Sequence, residues 1–151
     1  MTSRDDIYDF RVGHFDCAAV SDGSFTYTSP FFPSPAEMLF ANAPSDQLEL
    51  ALAAFGLDAM VWKAITLSYT CLLVITGETR VLVDTGAGRS GPDTGRLIEN
   101  LSVMGVDPRQ IDLVVLTHGH PDHLGGSTDA QATVLFPNAD WVMSTAEWDF
   151  W

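Results

Sequence analysis

Residues 117–126 run Thr117-His118-Gly119-His120-Pro121-Asp122-His123-Leu124-Gly125-Gly126. Three of the chain's four histidines fall within six residues, with an aspartate among them. Imidazole and carboxylate donors gathered in this way suit a divalent transition metal, most often zinc. His118 and His120 alternate across one glycine, so an extended backbone turns both imidazoles to one side. Gly119 leaves room for a close metal approach, and Pro121 stiffens the turn that carries Asp122 and His123 round the corner. Two donor pairs can then face two neighbouring positions, His118 with His120 and Asp122 with His123. Two ions about 3.5–4 Å apart can share a hydroxide, polarise a carbonyl or phosphoryl oxygen and stabilise a leaving group. The competing reading is a polar surface loop with coincidental histidines. Four ligand-type residues in six count against it.

Such a run needs a rigid support. The apolar Leu113-Val114-Val115-Leu116 directly before it has the pattern of a buried strand, and Gly125-Gly126 lets the backbone turn sharply after it. Further back, residues 70–76 are apolar and rich in β-favouring types. Arg80-Val81-Leu82-Val83-Asp84 returns after Gly77-Glu78-Thr79, which predicts a β-hairpin. A loop, Thr85-Gly86-Ala87-Gly88, follows. Residues 93–104 predict a helix capped by Asp93 or Thr94, with Leu97, Leu101 and Met104 on one face and Gly105 and Pro108 as its stop. Residues 133–136 and 141–143 are expected as two short strands. Ser144 and Glu147 form the capping box of a last helix that holds Trp148, Phe150 and Trp151.

Nearer the N-terminus, the apolar residues 15–20 end in Ser21-Asp22-Gly23, a turn signal. Phe25 and Tyr27 alternate with Thr26 and Thr28 as in a half-buried strand, and the proline-rich residues 29–35 suit an extended loop. Residues 45–56 predict a helix with Asp46 as cap, Glu49 at the capping-box position, Leu48, Leu52 and Phe55 on one face, and Gly56 as its stop. Residues 64–67 suggest a short strand.

The chain of 151 residues is 46% hydrophobic and fits one domain with a real core. No apolar run approaches the roughly 18 residues of a membrane span. Residues 1–6 lack the basic and apolar regions of a signal peptide, so the expected location is cytoplasmic. A net charge of −13 argues against nucleic acid and anionic membranes as partners. Cys17 and Cys71 sit among apolar residues with no Cys-x-x-Cys spacing and read as buried reduced thiols.

The motif His118-x-His120-x-Asp122-His123 resembles the metal-binding signature of the metallo-β-lactamase fold. Val81-Leu82-Val83-Asp84-Thr85-Gly86 is similar to the strand and loop that precede it in that family. The passage from Val106-Asp107-Pro108 to Thr117 is similar to its helix-to-strand approach. Val20-Ser21-Asp22-Gly23 resembles the start of lactonase-like and organophosphate-hydrolase-like members. The resemblance implies an α/β (α+β) fold: half of an αββα sandwich, a mixed sheet with flanking helices and metals at one edge. It implies that His118 and His120 bind a first metal and Asp122 and His123 a second. The metal is expected to be zinc, with iron or manganese as alternatives. Asp122 would also orient the attacking nucleophile, as the catalytic residue. Asp84 is either a support for the ligands or a turn-forming aspartate at a strand end.

Members of that family are about twice this length, and their later half supplies further ligands. This chain has no histidine after His123, and His14 matches no family ligand. A last helix of two turns that ends in aromatics gives the expectation of a chain cut inside a fold, the N-terminal half of one domain. The leading function is a metal-dependent hydrolase whose metal-bound hydroxide attacks an ester, lactone or phosphoester of a small-molecule substrate. In the diiron oxidoreductase branch the position of Gly119 is usually glutamate, so glycine favours hydrolysis. One alternative is an inactive fragment that binds metal weakly or acts as an interaction module, with a homodimer as one form. Another is an oxidoreductase or sulfur-transfer member of the same fold. The aromatic-rich residues 25–40 would either line an apolar pocket or serve plain packing.

Overall fold

The structure is a computed structural model that describes residues 4–151. The first three residues of the segment read for a signal sequence lie outside it. The backbone falls into two compact units, one of Met1–Phe25 with Ser68–Trp151 and one of Thr26–Leu67.

The elements in chain order are β1 (Ile7–Val12), β2 (Phe15–Thr28), α1 (Pro35–Phe40), α2 (Ser45–Ala54), β3 (Ala64–Thr76), β4 (Thr79–Val83), α3 (Leu97–Val103), β5 (Leu113–Leu116), α4 (Pro121–Leu124), β6 (Asp140–Met143) and α5 (Thr145–Phe150). The strands form one six-stranded sheet in sequence order. The pairs β1–β2 and β3–β4 are antiparallel, and β4–β5 and β5–β6 are parallel. The sheet is therefore mixed and carries helices, as expected of half an αββα sandwich. Parallel neighbours need a crossover, and α3 lies on the one between β4 and β5. Val20, Leu73, Leu82 and Val114, from four different strands, are buried together with Leu97 and Leu101 of α3. This core fixes the ends of β4 and β5, from which the metal run and its supports emerge.

The β3–β4 hairpin is as predicted, with Thr76 opposite Thr79 and Gly77 at φ 69° in the two-residue turn. Other expectations need correction. Ser21-Asp22-Gly23 does not reverse the chain, because β2 runs unbroken through it and the reversal is at Gly13-His14. The turn-type residues have another cause. Gly23 has φ 105° and lies so close to Asp93 that a Cβ would sit 1.8 Å from its carbonyl oxygen. Residues 64–67 and 70–76 are one strand, β3. Residues 133–136 form no strand, only an isolated bridge between Thr128 and Val134. Neither Asp93 nor Thr94 caps α3, whose N-cap is Arg96 without a side-chain bond. The Thr94 hydroxyl instead takes the Gly91 N–H at 2.9 Å.

In the unit Thr26–Leu67, α2 is capped by Pro44, and Asp46 lies within its first turn. Leu52 is buried, but Phe55 is 83% exposed, so the predicted apolar face is only partly used. The sequence reading missed α1, which opens with a Ser34–Glu37 capping box. Phe32 packs edge-on against Tyr27, whereas Phe31 is exposed. Among the described residues, no helix is long and apolar enough to cross a membrane.

Candidate metal centre

Strand β5 ends at Leu116, and Thr117 hands the chain to the metal run. His120 is the N-cap of α4, a single turn with Pro121 at its first position, where the missing N–H costs nothing. The turn swings Asp122 and His123 back toward His118. The His118 and His123 ring centroids are 3.9 Å apart, and those of His118 and His120 are 4.6 Å apart.

One buried residue organises these rings. Asp84, 7% exposed, follows β4 with φ 61°, a left-handed conformation that aspartate tolerates better than most side chains. Its Oδ1 accepts the Thr117 N–H at 2.8 Å, and its Oδ2 accepts the Thr117 hydroxyl at 2.8 Å. The same Oδ2 lies 2.7 Å from His123 Nδ1. A carboxylate only accepts, so His123 carries its proton on Nδ1 and turns an Nε2 lone pair outward. The Thr117 hydroxyl has one proton and gives it to Asp84. At 3.0 Å from His118 Nδ1 it therefore accepts, and His118 Nε2 is also left as a lone pair. Asp84 is thus a strand-end aspartate in a left-handed conformation that also bonds His123 directly and His118 through the Thr117 hydroxyl.

The donors converge in pairs. His118 Nε2 and His120 Nδ1 are 3.1 Å apart, and His123 Nε2 and Asp122 Oδ2 are 3.6 Å apart. Two nitrogens at ~2.0–2.1 Å from one tetrahedral zinc ion lie roughly 3.3 Å apart, so the first pair has the bite of a single ion. Both pairs fit divalent metal as partial ligand sets. Among the described residues, no group of three or more His, Cys, Asp or Glu side chains is arranged to hold an ion. His14 lies in the exposed β1–β2 turn.

Two further contacts were not legible in the sequence. The Ser144 hydroxyl accepts the Glu147 N–H, but the Glu147 carboxylate does not return to close the capping box. It reaches the metal run, where Oε2 accepts the Gly119 N–H and the Trp151 indole N–H, both at 3.1 Å. These bonds, the Gly119 N–H first, hold its pKa below the ordinary glutamate value. The Trp151 ring covers Gly119 so closely that a Cβ there would lie 2.3 Å from the indole, and it meets His120 edge-on.

The second contact is Asp22, 1% exposed in β2. It accepts four backbone N–H groups, from Ala87, Gly88, Gly95 and Leu97, at 2.8, 3.1, 3.3 and 3.0 Å. Burial pushes its carboxyl up from the ordinary aspartate value, and the four N–H groups pull against that shift. Asp22 thus supplies the N-terminal cap that α3 lacks locally.

The sequence model of the Metallo-beta-lactamase superfamily matches residues 65–133, a span that includes Asp84 and the whole metal run. The solved structure of AidC, a dizinc quorum-quenching lactonase in complex with a product, superposes over 96% of this chain with a TM-score of 0.77 and 29% identity. The chain has the metallo-β-lactamase fold. A second structure with this fold, the hydrolase AbOPH of the beta-lactamase superfamily, covers 97% of the chain with a TM-score of 0.76 and 31% identity. Among curated relatives, the mouse (Mus musculus) Metallo-beta-lactamase domain-containing protein 1 is 45% identical over 42% of the chain. The chain spans 47% of the length of each of the two solved structures, and the matched segment spans 21% of the mouse protein.

Proposed function

We propose that this chain carries the metal-binding half of a hydrolase acting on a small ester, lactone or phosphoester. The observation that carries the reading is the convergence of His118 Nε2 and His120 Nδ1 at 3.1 Å, beside a His123 whose Nε2 is freed by Asp84. In this reading His118 and His120 hold one divalent ion and Asp122 and His123 a second, with zinc favoured by the imidazole-rich donor set. Such ions supply Lewis acidity, which makes water nucleophilic near neutral pH and polarises the bond to be cleaved. The chain's own residues do the positioning. Thr117 and Asp84 fix two imidazole tautomers, Asp122 orients the attacking water, and Glu147 holds the backbone between His118 and His120. The lactonase named above favours a lactone as substrate, the resemblance to organophosphate-hydrolase-like members keeps an aryl ester or phosphotriester beside it, and the chain's acidity favours neutral over polyanionic ones. The working location in this reading is the cytoplasm.

The test is turnover of homoserine lactones, p-nitrophenyl esters and an aryl phosphotriester by the zinc-loaded protein, with Asp122→Asn as control. Hydrolysis of at least one class, lost in Asp122→Asn, is expected. No turnover of any class with metal bound would refute the hydrolase reading.

Two observations favour a second reading, in which the chain binds metal weakly and acts as an interaction module. Each proposed ion would have only two donors among the described residues. In addition, an open cavity of about 930 Å³ beside Gly119 is lined by apolar side chains including Val142, Met143, Trp148 and Trp151. Sedimentation of the purified chain separates the readings: a stable dimer without turnover supports the module, and an active monomer excludes it.

A further inference from the structure

The Asp22 carboxylate lies behind the site and touches none of the ligands. Its four donors all belong to the stretch after β4, which leads from Asp84 to α3. Gly86 passes over Asp22 so closely that a Cβ would lie 2.4 Å from its carboxyl carbon. The other side of this loop is packed backbone to backbone on Gly125 and Gly126. A Cβ on Gly88 would lie 2.3 Å from the Gly125 carbonyl oxygen, and one on Gly126 would lie 2.0 Å from the Thr85 carbonyl oxygen. The Gly126 N–H donates to the Gly86 carbonyl at 3.2 Å. At the edge of this sandwich, the Thr85 N–H and hydroxyl donate to the His123 carbonyl at 2.8 and 3.2 Å.

The layers are therefore Asp22, then residues 86–88, then residues 125–126, with His123 attached at the margin. Between residues 86–88 and 125–126 the nearest approaches are backbone to backbone, so a shift of one layer is passed to the next. A loop released from Asp22 would move Thr85 and Asp84 together, and both hold His123, one by its carbonyl and one by its Nδ1.

We propose that Asp22 is a positioning residue for the His123 side of the metal centre, acting through the glycine-lined loop 85–88. The proposal rests on the metal-ligand reading of His123, but part of its test needs no metal. In Asp22→Asn a single side-chain oxygen is left for four N–H donors and the amide NH2 must face at least one of them, so the clamp is weakened while volume is kept. In the metal-free protein, nitrogen-detected imidazole NMR should show His123 fixed as the Nδ1–H tautomer. In Asp22→Asn that signal should average between tautomers, while His120, which makes no bond to the loop, keeps its own. With Zn²⁺, Asp22→Asn should lose about tenfold or more in affinity, as when other groups that orient ligands are removed. A folded Asp22→Asn with an unchanged His123 tautomer signal and unchanged Zn²⁺ affinity would overturn the proposal.

If Asp22→Asn does not fold, native-state hydrogen exchange on the wild-type chain decides. The amides of Ala87, Gly88 and Leu97, held by Asp22, should open in one step with that of Thr85, held by His123. Opening of Thr85 well before the others would overturn the proposal. Absence of Zn²⁺ binding by the wild-type chain would refute the proposed function, and the tautomer and exchange measurements would still decide the role of Asp22.

Discussion

Substitution of Asp84 separates a support for metal ligands from a mere turn former. Its carboxylate accepts from the Thr117 N–H, the Thr117 hydroxyl and His123 Nδ1, and its backbone is left-handed at φ 61°. Asp84→Ala removes all three acceptor contacts. Water can replace some of them at the partly exposed Thr117 and His123, so the expected loss is about 3 kcal/mol of stability. Asp84→Gly loses the same bonds but relieves the left-handed strain, and should be less destabilising than alanine by about 1 kcal/mol. Asp84→Asn is the informative variant. Its carbonyl oxygen still accepts from Thr117 and asparagine tolerates the backbone, so stability should fall by only about 1 kcal/mol. Its amide group, however, donates toward His123 Nδ1. That moves the ring proton to Nε2, the atom proposed to face the metal. Zn²⁺ affinity should therefore fall about 10–100-fold, or roughly 1.4–2.8 kcal/mol, more than the small stability change suggests. Urea denaturation and Zn²⁺ titration by calorimetry give the two quantities. If Asp84→Asn binds Zn²⁺ like wild type, Asp84 serves the turn alone and the tautomer argument is wrong.

Three other outcomes are expected. Because burial raises the folded-state pKa of Asp22, its contribution to stability is full below the ordinary aspartate pKa and is lost as pH rises through the raised value. The wild-type advantage over Asp22→Asn in urea midpoint should accordingly shrink with rising pH across the acid range, and an advantage that grows would contradict the sign. Glu147→Ala should free the Gly119 N–H and the Trp151 indole, which should shift tryptophan emission to the red and weaken metal binding at His118 and His120, whereas Glu147→Gln keeps an acceptor and should do neither. The buried thiols of Cys17 and Cys71, the latter with its pKa pushed far up by burial, should resist a thiol reagent until the chain unfolds, and fast labelling of the native protein would show an opening the fold does not predict.

The parts of the site legible in the sequence were local ones. His118, His120, Asp122 and His123 lie within six residues, and the apolar run 113–116 and the Gly77-Glu78 turn mark the strands that present them. What escaped depends on partners distant in the chain. Asp22 looks like a turn residue because its donors, Ala87 to Leu97, are 65 to 75 positions away. The same distance hid the cap of α3, for which Asp93 and Thr94 were plausible local stand-ins. Ser144 and Glu147 have capping-box spacing, yet Glu147 finds a better donor in Gly119, which only the packing of α5 brings near. Gly23, Gly86, Gly88 and Gly126 carry no signal individually as to which backbone approaches them. Their meaning appears only when two loops stack.

The central claim, that His118 and His120 are the two donors of a metal site, is tested most directly by Zn²⁺ titration of the wild-type chain against His118→Ala and His120→Ala. Saturable binding is expected in the wild type, weaker than in a closed four-ligand site, with a loss of about tenfold or more in each variant while the fold is retained. Equal Zn²⁺ binding by the wild type and both folded variants would contradict it.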